Sequence, residues 1–263
     1  LRLCMVMIIF ACVGFVSTEQ YLLNRDKTKT EEITKQYEEV IDVPVVEEEK
    51  IAAEPVVNEE SLPVVTTPTY VSPYYKTYSH NFEELKNINP DTIGWITVNN
   101  TKVNYPVVKT NDNDYYLNHS FDKSKNSFGW IYADYRSNFD ILNQNTIIYG
   151  HNVLGTDLLF SSLTNTLNAS WYNNPNNLTI TFNTEKEDIK WQIFSIYLIP
   201  VTNDYLITNF NSGASFLKFV QKLKDRSIKN FGVEVKEDDK IITLSTCYKD
   251  SNNRVVIHAK KIN

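Results

Sequence analysis

Paired cysteines are missing from this chain. Of three cysteines in 263 residues, Cys4 and Cys12 fall in an apolar leader and Cys247 stands alone in the rest. A disulfide framework needs pairs, so the main domain has none, and a thiolate zinc site is excluded for the same reason. A lone cysteine is either a small buried hydrophobe or a reactive thiol. A basic face is missing too. The formal charge is -6, and residues 31–60 hold eleven Asp/Glu against two Lys. Residues 61–263 are nearly neutral, so nothing resembles a nucleic-acid footprint. Glycine is scarce at seven residues, whereas tyrosine (16) and phenylalanine (13) are plentiful. Aromatic and β-branched side chains fit a pleated, half-buried surface, which suits a β-rich domain. No internal repeat is visible.

Three regions follow from the pattern. Residues 3–16 are uninterrupted apolar, shorter than the roughly twenty residues that cross a bilayer. No small-residue cleavage site follows them. Residues 1–23 are therefore expected to be a transmembrane anchor, truncated at its N-terminus. Arg2 would mark the cytoplasmic side, giving a single-pass cell-membrane protein with its catalytic domain outside. Residues 24–73 are acidic and then rich in Pro and Val, the composition of an extended tether. Residues 28–41 can form a helix, but nothing in them asks it to pack on the domain. Residues 74–263 form the globular part.

Within it, Ser79 can cap a short helix ending at Ile88, with Pro90 beyond. Strands are expected at Gly94–Val98, Val103–Val108, Gly129–Ala133, Thr146–Tyr149, Leu178–Phe182, Ile189–Pro200, Lys240–Thr246 and Arg254–Ile262. A second helix over Ser215–Lys229 has Phe216, Phe219, Val220 and Leu223 on one face. About eight strands with few helices suggest a closed or nearly closed β-barrel.

Two strand ends carry reactive side chains. His151 follows Thr146-Ile-Ile-Tyr-Gly150, and Cys247 closes Lys240-Ile-Ile-Thr-Leu-Ser-Thr246. Arg254 opens the next strand seven residues later. A thiolate can attack a carbonyl, a permanent cation can stabilise thiolate and oxyanion, and an imidazole can move the proton. Such a set suffices for acyl transfer. By spacing alone, an unreactive buried Cys247 stays open. His80, His119 and His258 read as ordinary turn or strand residues.

Thr243-Leu-Ser-Thr-Cys247, followed by Arg254, resembles the TLxTC signature of the sortase family. Tyr149-Gly-His-Asn152 resembles that family's histidine segment. Asn89–Ile96, Val103–Val108 with Asn113–Leu117, and Phe128–Asp134 resemble class B sortases in particular. The resemblance covers about residues 79–263. It implies a mainly β fold: an eight-stranded barrel with an N-terminal helix and an extra helix before the cysteine-bearing strand. It implies a cysteine transpeptidase that cleaves an NPQTN-like C-terminal sorting motif after Thr, holds the acyl group as a thioester, and passes it to a cell-wall amine. Cys247 would be the nucleophile, His151 the general acid/base and Arg254 the oxyanion or substrate clamp. Ser245 and Thr246 would shape the groove floor, with Asn152 and Asp250 as further groove candidates. Surface proteins and a peptidoglycan-precursor amine would be partners, and no metal or cofactor is expected.

Other classes make different demands. A secreted cysteine peptidase would place its Cys before its His, in a motif that opens a helix. An L,D-transpeptidase would carry His-Gly-Cys, which Ser245-Thr-Cys247 lacks. A non-enzymatic ligand-binding barrel would separate His151 and Arg254 from Cys247.

Overall fold

Short β-branched and aromatic runs, punctuated by Asn, Asp, Gly and Pro, fold as strands because only extended backbone lets such side chains pack on both faces. The computed structural model describes residues 18–36, 81–249 and 252–262. Residues 18–36 are helical (α1), and α2 is Phe82–Ile88. The strands are β1 Thr92–Val98, β2 Asn104–Val108, β3 Tyr132–Ala133, β4 Asn145–Tyr149, β5 Thr179–Asn183, β6 Asp188–Pro200, β7 Ile241–Tyr248 and β8 Asn253–Lys261. A short helix α3, Ala169–Tyr172, precedes β5, and α4, Gly213–Arg226, precedes β7. The strands close a barrel in the order β1-β2-β3-β4-β7-β8-β6-β5. The eight-stranded barrel and the helix before the cysteine strand are thus as expected. Asn81, not Ser79, caps α2: it directly precedes the first turn, and its side chain accepts from the Glu84 amide. Ser79 lies outside the described residues.

Alternation splits the barrel wall into two layers. Ile242, Leu244, Ile257 and Ala259 point into the large core, which includes Trp95, Ile96, Trp191 and Ile193. The intervening Ile241 and Val256 face outward, under α4. That helix starts with a capping box between Ser212 and Ser215 and buries Phe216, Phe219, Val220 and Leu223. Its basic end is fixed to the loop after β6, where Arg226 grips the Asp204 carboxylate through two hydrogen bonds of 2.9 and 2.6 Å.

Helix α1 corrects the expectation of an unattached helical start. Asp26, Thr30 and Ile33 share one face at helical spacing and are buried. The Asp26 carboxylate accepts from the Ser127 amide (3.0 Å) and hydroxyl (2.7 Å). Asn126 Nδ2 donates to Thr30 Oγ1 at 2.9 Å. The attachment is mainly polar, so no apolar stripe advertises it.

The expected single-pass membrane location is also corrected. Among the described residues, no helix is long and apolar enough to cross a membrane. Helix α1 carries Glu19, Arg25, Asp26, Lys27, Lys29, Glu31, Glu32 and Lys35, a charge density that bilayer hydrocarbon does not accept. The apolar stretch 3–16 lies outside the described residues.

Because Phe216 is fully buried between α4 and the barrel wall, Phe216→Ala should cost about 3–5 kcal/mol in urea unfolding. A loss below about 1 kcal/mol would show that α4 does not share the barrel's core.

Candidate active site

Strand pairing brings three distant sequence positions to one edge. Strands β4 and β7 run parallel, with Tyr149 opposite Ser245. Their C-terminal ends are therefore side by side, and the chain leaves β4 through Gly150 to His151 as β7 reaches Thr246 and Cys247. The Gly150 amide still donates to the Ser245 carbonyl at 3.4 Å. Strands β7 and β8 are antiparallel and place Cys247 directly opposite Arg254. Directly opposed residues share a face of the sheet. Cys247 is partly exposed, as a reactive thiol must be.

Gly150 sets the position of His151 by absence of a side chain. A Cβ there would lie 2.7 Å from the Phe160 ring. The Phe160 amide in turn donates to the His151 carbonyl at 3.1 Å. His151 Nε2 lies 3.0 Å from the Leu117 carbonyl oxygen. A carbonyl only accepts, so Nε2 carries a proton and Nδ1 is the nitrogen able to take one. Burial holds the imidazole below its usual pKa, and the Arg254 charge adds to this, while the Leu117 carbonyl works the other way. Burial and the Arg254 charge thus both favour the neutral form of the ring.

The outer face of β7 and β8 is a ladder of opposed pairs: Thr243 with His258, Ser245 with Val256, Cys247 with Arg254. Sequence reasoning passed over its first rung. His258 is fully buried, and its hydrogen bonds fix its tautomer. Asn145 Nδ2 donates to the Ile207 carbonyl (2.8 Å), leaving Oδ1 as acceptor. Thr243 Oγ1 donates to that oxygen at 2.7 Å, so its lone pair must accept from His258 Nδ1–H at 2.8 Å. His258 Nε2 then accepts from the Tyr197 hydroxyl at 2.8 Å. This chain ends on the loop after β6. The Asn145 amide also donates to Thr208 O (3.0 Å), Arg136 to Leu206 O (3.1 Å), and the Tyr205 hydroxyl pairs with Ser245 Oγ (3.0 Å). Residues 204–208 are thus strapped beside Ser245, two residues before Cys247. No sequence motif marks the strap, because its anchors come from separate strands.

A second buried anchor lies beneath β4. The Asp134 carboxylate, fully buried, accepts from Arg136 Nε and Nη2 and from the Tyr149 hydroxyl, each at 2.8 Å, and from Asn113 Nδ2 at 3.2 Å. Burial alone would raise its pKa, but the hydrogen bonds from Arg136 and Tyr149 and the Arg136 charge lower it overall. Tyr149 is thereby held two residues before His151.

The remaining predicted positions separate. Ser245 lies on the outer face of β7, where its hydroxyl pairs with Tyr205. Thr246 lies on the opposite face with Leu244, and its buried hydroxyl has no hydrogen-bond partner. Asn152 Nδ2 donates to the Cys247 carbonyl at 3.1 Å, tying the histidine segment to the cysteine strand. Asp250 lies outside the described residues. Among the described residues, no group of three or more His, Cys, Asp or Glu is placed to hold a metal ion.

Known proteins resemble this chain in sequence and fold. The family model for a sortase domain matches residues 96–262. Sortase B of Staphylococcus aureus is 36% identical over 184 residues, 69% of this chain and 74% of that protein. Sortase B of Listeria monocytogenes is 33% identical over 182 residues, 68% of this chain and 73% of that protein. Among solved structures, a Staphylococcus aureus sortase B–substrate complex superposes with a TM-score of 0.65 at 35% identity, covering 69% of this chain and 84% of the other. Clostridium perfringens sortase B gives 0.65 at 32% identity, covering 69% of this chain and all of the other (100%).

Two measurements check the local physics. Gly150→Ala should cost about 1–3 kcal/mol and shift the His151 ring signals in NMR, because Phe160 must move; unchanged signals would contradict the contact. Burial pushes the His258 pKa from 6.5 down to about 3. The unfolded chain binds a proton there that the fold refuses, so this contribution is complete above pH 6.5 and is lost as pH falls toward about 3. His258→Gln should flatten the acid side of the stability curve by up to about 1.4 kcal/mol per pH unit; an unchanged slope would contradict the buried neutral ring.

Proposed function

Because the chain belongs to the sortase family, in its class B, and members of that family are cysteine transpeptidases, we propose that it joins proteins bearing a C-terminal NPQTN-like motif to a cell-wall amine through a thioester on Cys247. The observation that carries this reading is the register: Cys247 opposite Arg254, with the parallel β4 end bringing His151 to the same edge.

The proposed chemistry follows from the state of each group. Cys247 Sγ attacks the carbonyl carbon of the motif Thr, and its proton passes to the neutral His151. The carbonyl oxygen gains negative charge as the tetrahedral centre forms. Arg254, permanently charged and on the same face as the thiol, stabilises that oxygen. The imidazolium then gives its proton to the leaving amine, and the C–N bond breaks. The product peptide departs and the thioester remains. In the second half an amine attacks the thioester carbonyl, His151 takes the amine's proton, and Cys247 leaves as thiolate to be reprotonated. A neutral resting imidazole suits this cycle, since it must first accept a proton in each half. A solved sortase B complexed with triglycine supports an amine as the second substrate.

Cleavage of an NPQTN-like reporter peptide tests the assignment. Cys247→Ala should abolish turnover, while His151→Ala and Arg254→Ala should each lower kcat/KM by about 10²–10⁴-fold. Undiminished cleavage by Cys247→Ala would end the nucleophile assignment.

A further inference from the structure

A cleft of about 580 Å³ opens beside His151 and is walled by helix α1. Gln20, Leu23, Asn24 and Lys27 form one side, and Phe128 with residues 151–156 the other. This volume is in the range of ligand sites. The cleft is lined by His151 and Asn152 but not by Cys247. Across the surface the order is therefore fixed: the 204–208 strap, Ser245 and Cys247, Asn152 and His151, the cleft, and then α1.

We propose that this cleft admits the acceptor, a peptide-borne primary amine, and that α1 is the outer wall of the acceptor site. The inference rests on reading His151 as the base of an acyl transfer. Two substrates must reach one sulfur in turn. The strapped flank adjoins Ser245 and the cysteine itself, whereas the cleft meets the base first. An amine needs the base, since the proton it carries must leave as its C–N bond to the acyl carbon forms. The walls match a peptide. Leu23, Phe128 and Leu154 supply apolar contact; Gln20 Nε2 donates to Asn24 Oδ1 at 3.1 Å, which leaves Gln20 Oε1 and Asn24 Nδ2 to meet peptide groups. Lys27 on the wall and Arg254 beyond His151 are both cations. They disfavour an ammonium ion and favour the uncharged amine, the form that can attack. The wall is fixed where it needs to be: the Asp26 carboxylate on Ser127 and Thr30 on Asn126 hold α1 against the segment that carries Phe128.

Residues 18–36 precede the family match, which begins at residue 96. The acceptor wall would then be supplied by chain outside that matched region.

The test uses the full chain, a sorting-motif peptide and triglycine as amine probe, with hydrolysed and aminolysed products counted by mass spectrometry. Asn24→Trp projects a bulky ring from an exposed helix position into the cleft. It should shift products from aminolysis toward hydrolysis at least fivefold and raise the triglycine KM similarly. Glu32→Trp, exposed on another side of α1, should leave the partition unchanged. An unaltered partition in Asn24→Trp, or an equal change in both variants, would overturn the acceptor wall. Failure of the unaltered protein to form any thioester would instead remove the acyl-transfer reading on which it rests.

Discussion

The parallel pairing of β4 with β7 is the constraint on which the site depends. A one-residue slip would turn every side chain of β7 to the other face and carry Cys247 into the barrel wall. Tyr149 opposite Ser245 prevents that. Parallel neighbours need a long crossover, and here it includes residues 150–240, which also build β5, β6 and α4. The same register that brings the end of β4 beside the end of β7 thus spans a crossover whose strands help close the barrel.

The outer face of β7 and β8 grades from buried to chemical. At one end His258 is neutral, buried and saturated with hydrogen bonds. At the other, Cys247 and Arg254 reach the edge. The relay from Tyr197 through His258 and Thr243 to Asn145 links the covered end by hydrogen bonds to the loop beside the exposed end. Every polar atom of the relay finds a partner, which is what makes a buried polar chain a source of order rather than a cost. Asp134 serves β4 comparably through Tyr149. The edge that carries Cys247 and Arg254 is thus braced from two sides, by the His258 relay and by Asp134.

Much of this was legible in the residues. The strand runs, the turn chemistry between them and the apolar face of α4 all declare themselves through local periodicity. The order His151, Cys247, Arg254, with its surrounding motifs, pointed to one reaction class. What escaped was non-local. His258 looked like an ordinary strand residue because its role depends on the register of three strands and a loop. Thr246 looked like a groove residue because a motif does not say which way alternation points. Helix α1 looked unattached because polar clamps at Asp26 and Thr30, rather than an apolar stripe, hold it. The apolar stretch before it suggested a membrane span, an expectation that the charged helix and the described residues do not meet.

The central claim is that acyl groups are held on the sulfur of Cys247. Intact-mass and peptide-level mass spectrometry after brief mixing with an NPQTN-like peptide tests it most directly. The account predicts an adduct equal to the peptide's N-terminal acyl fragment, located on Cys247 and released by hydroxylamine. Cleavage of the peptide with no adduct at Cys247, or with the adduct on another residue, would contradict it.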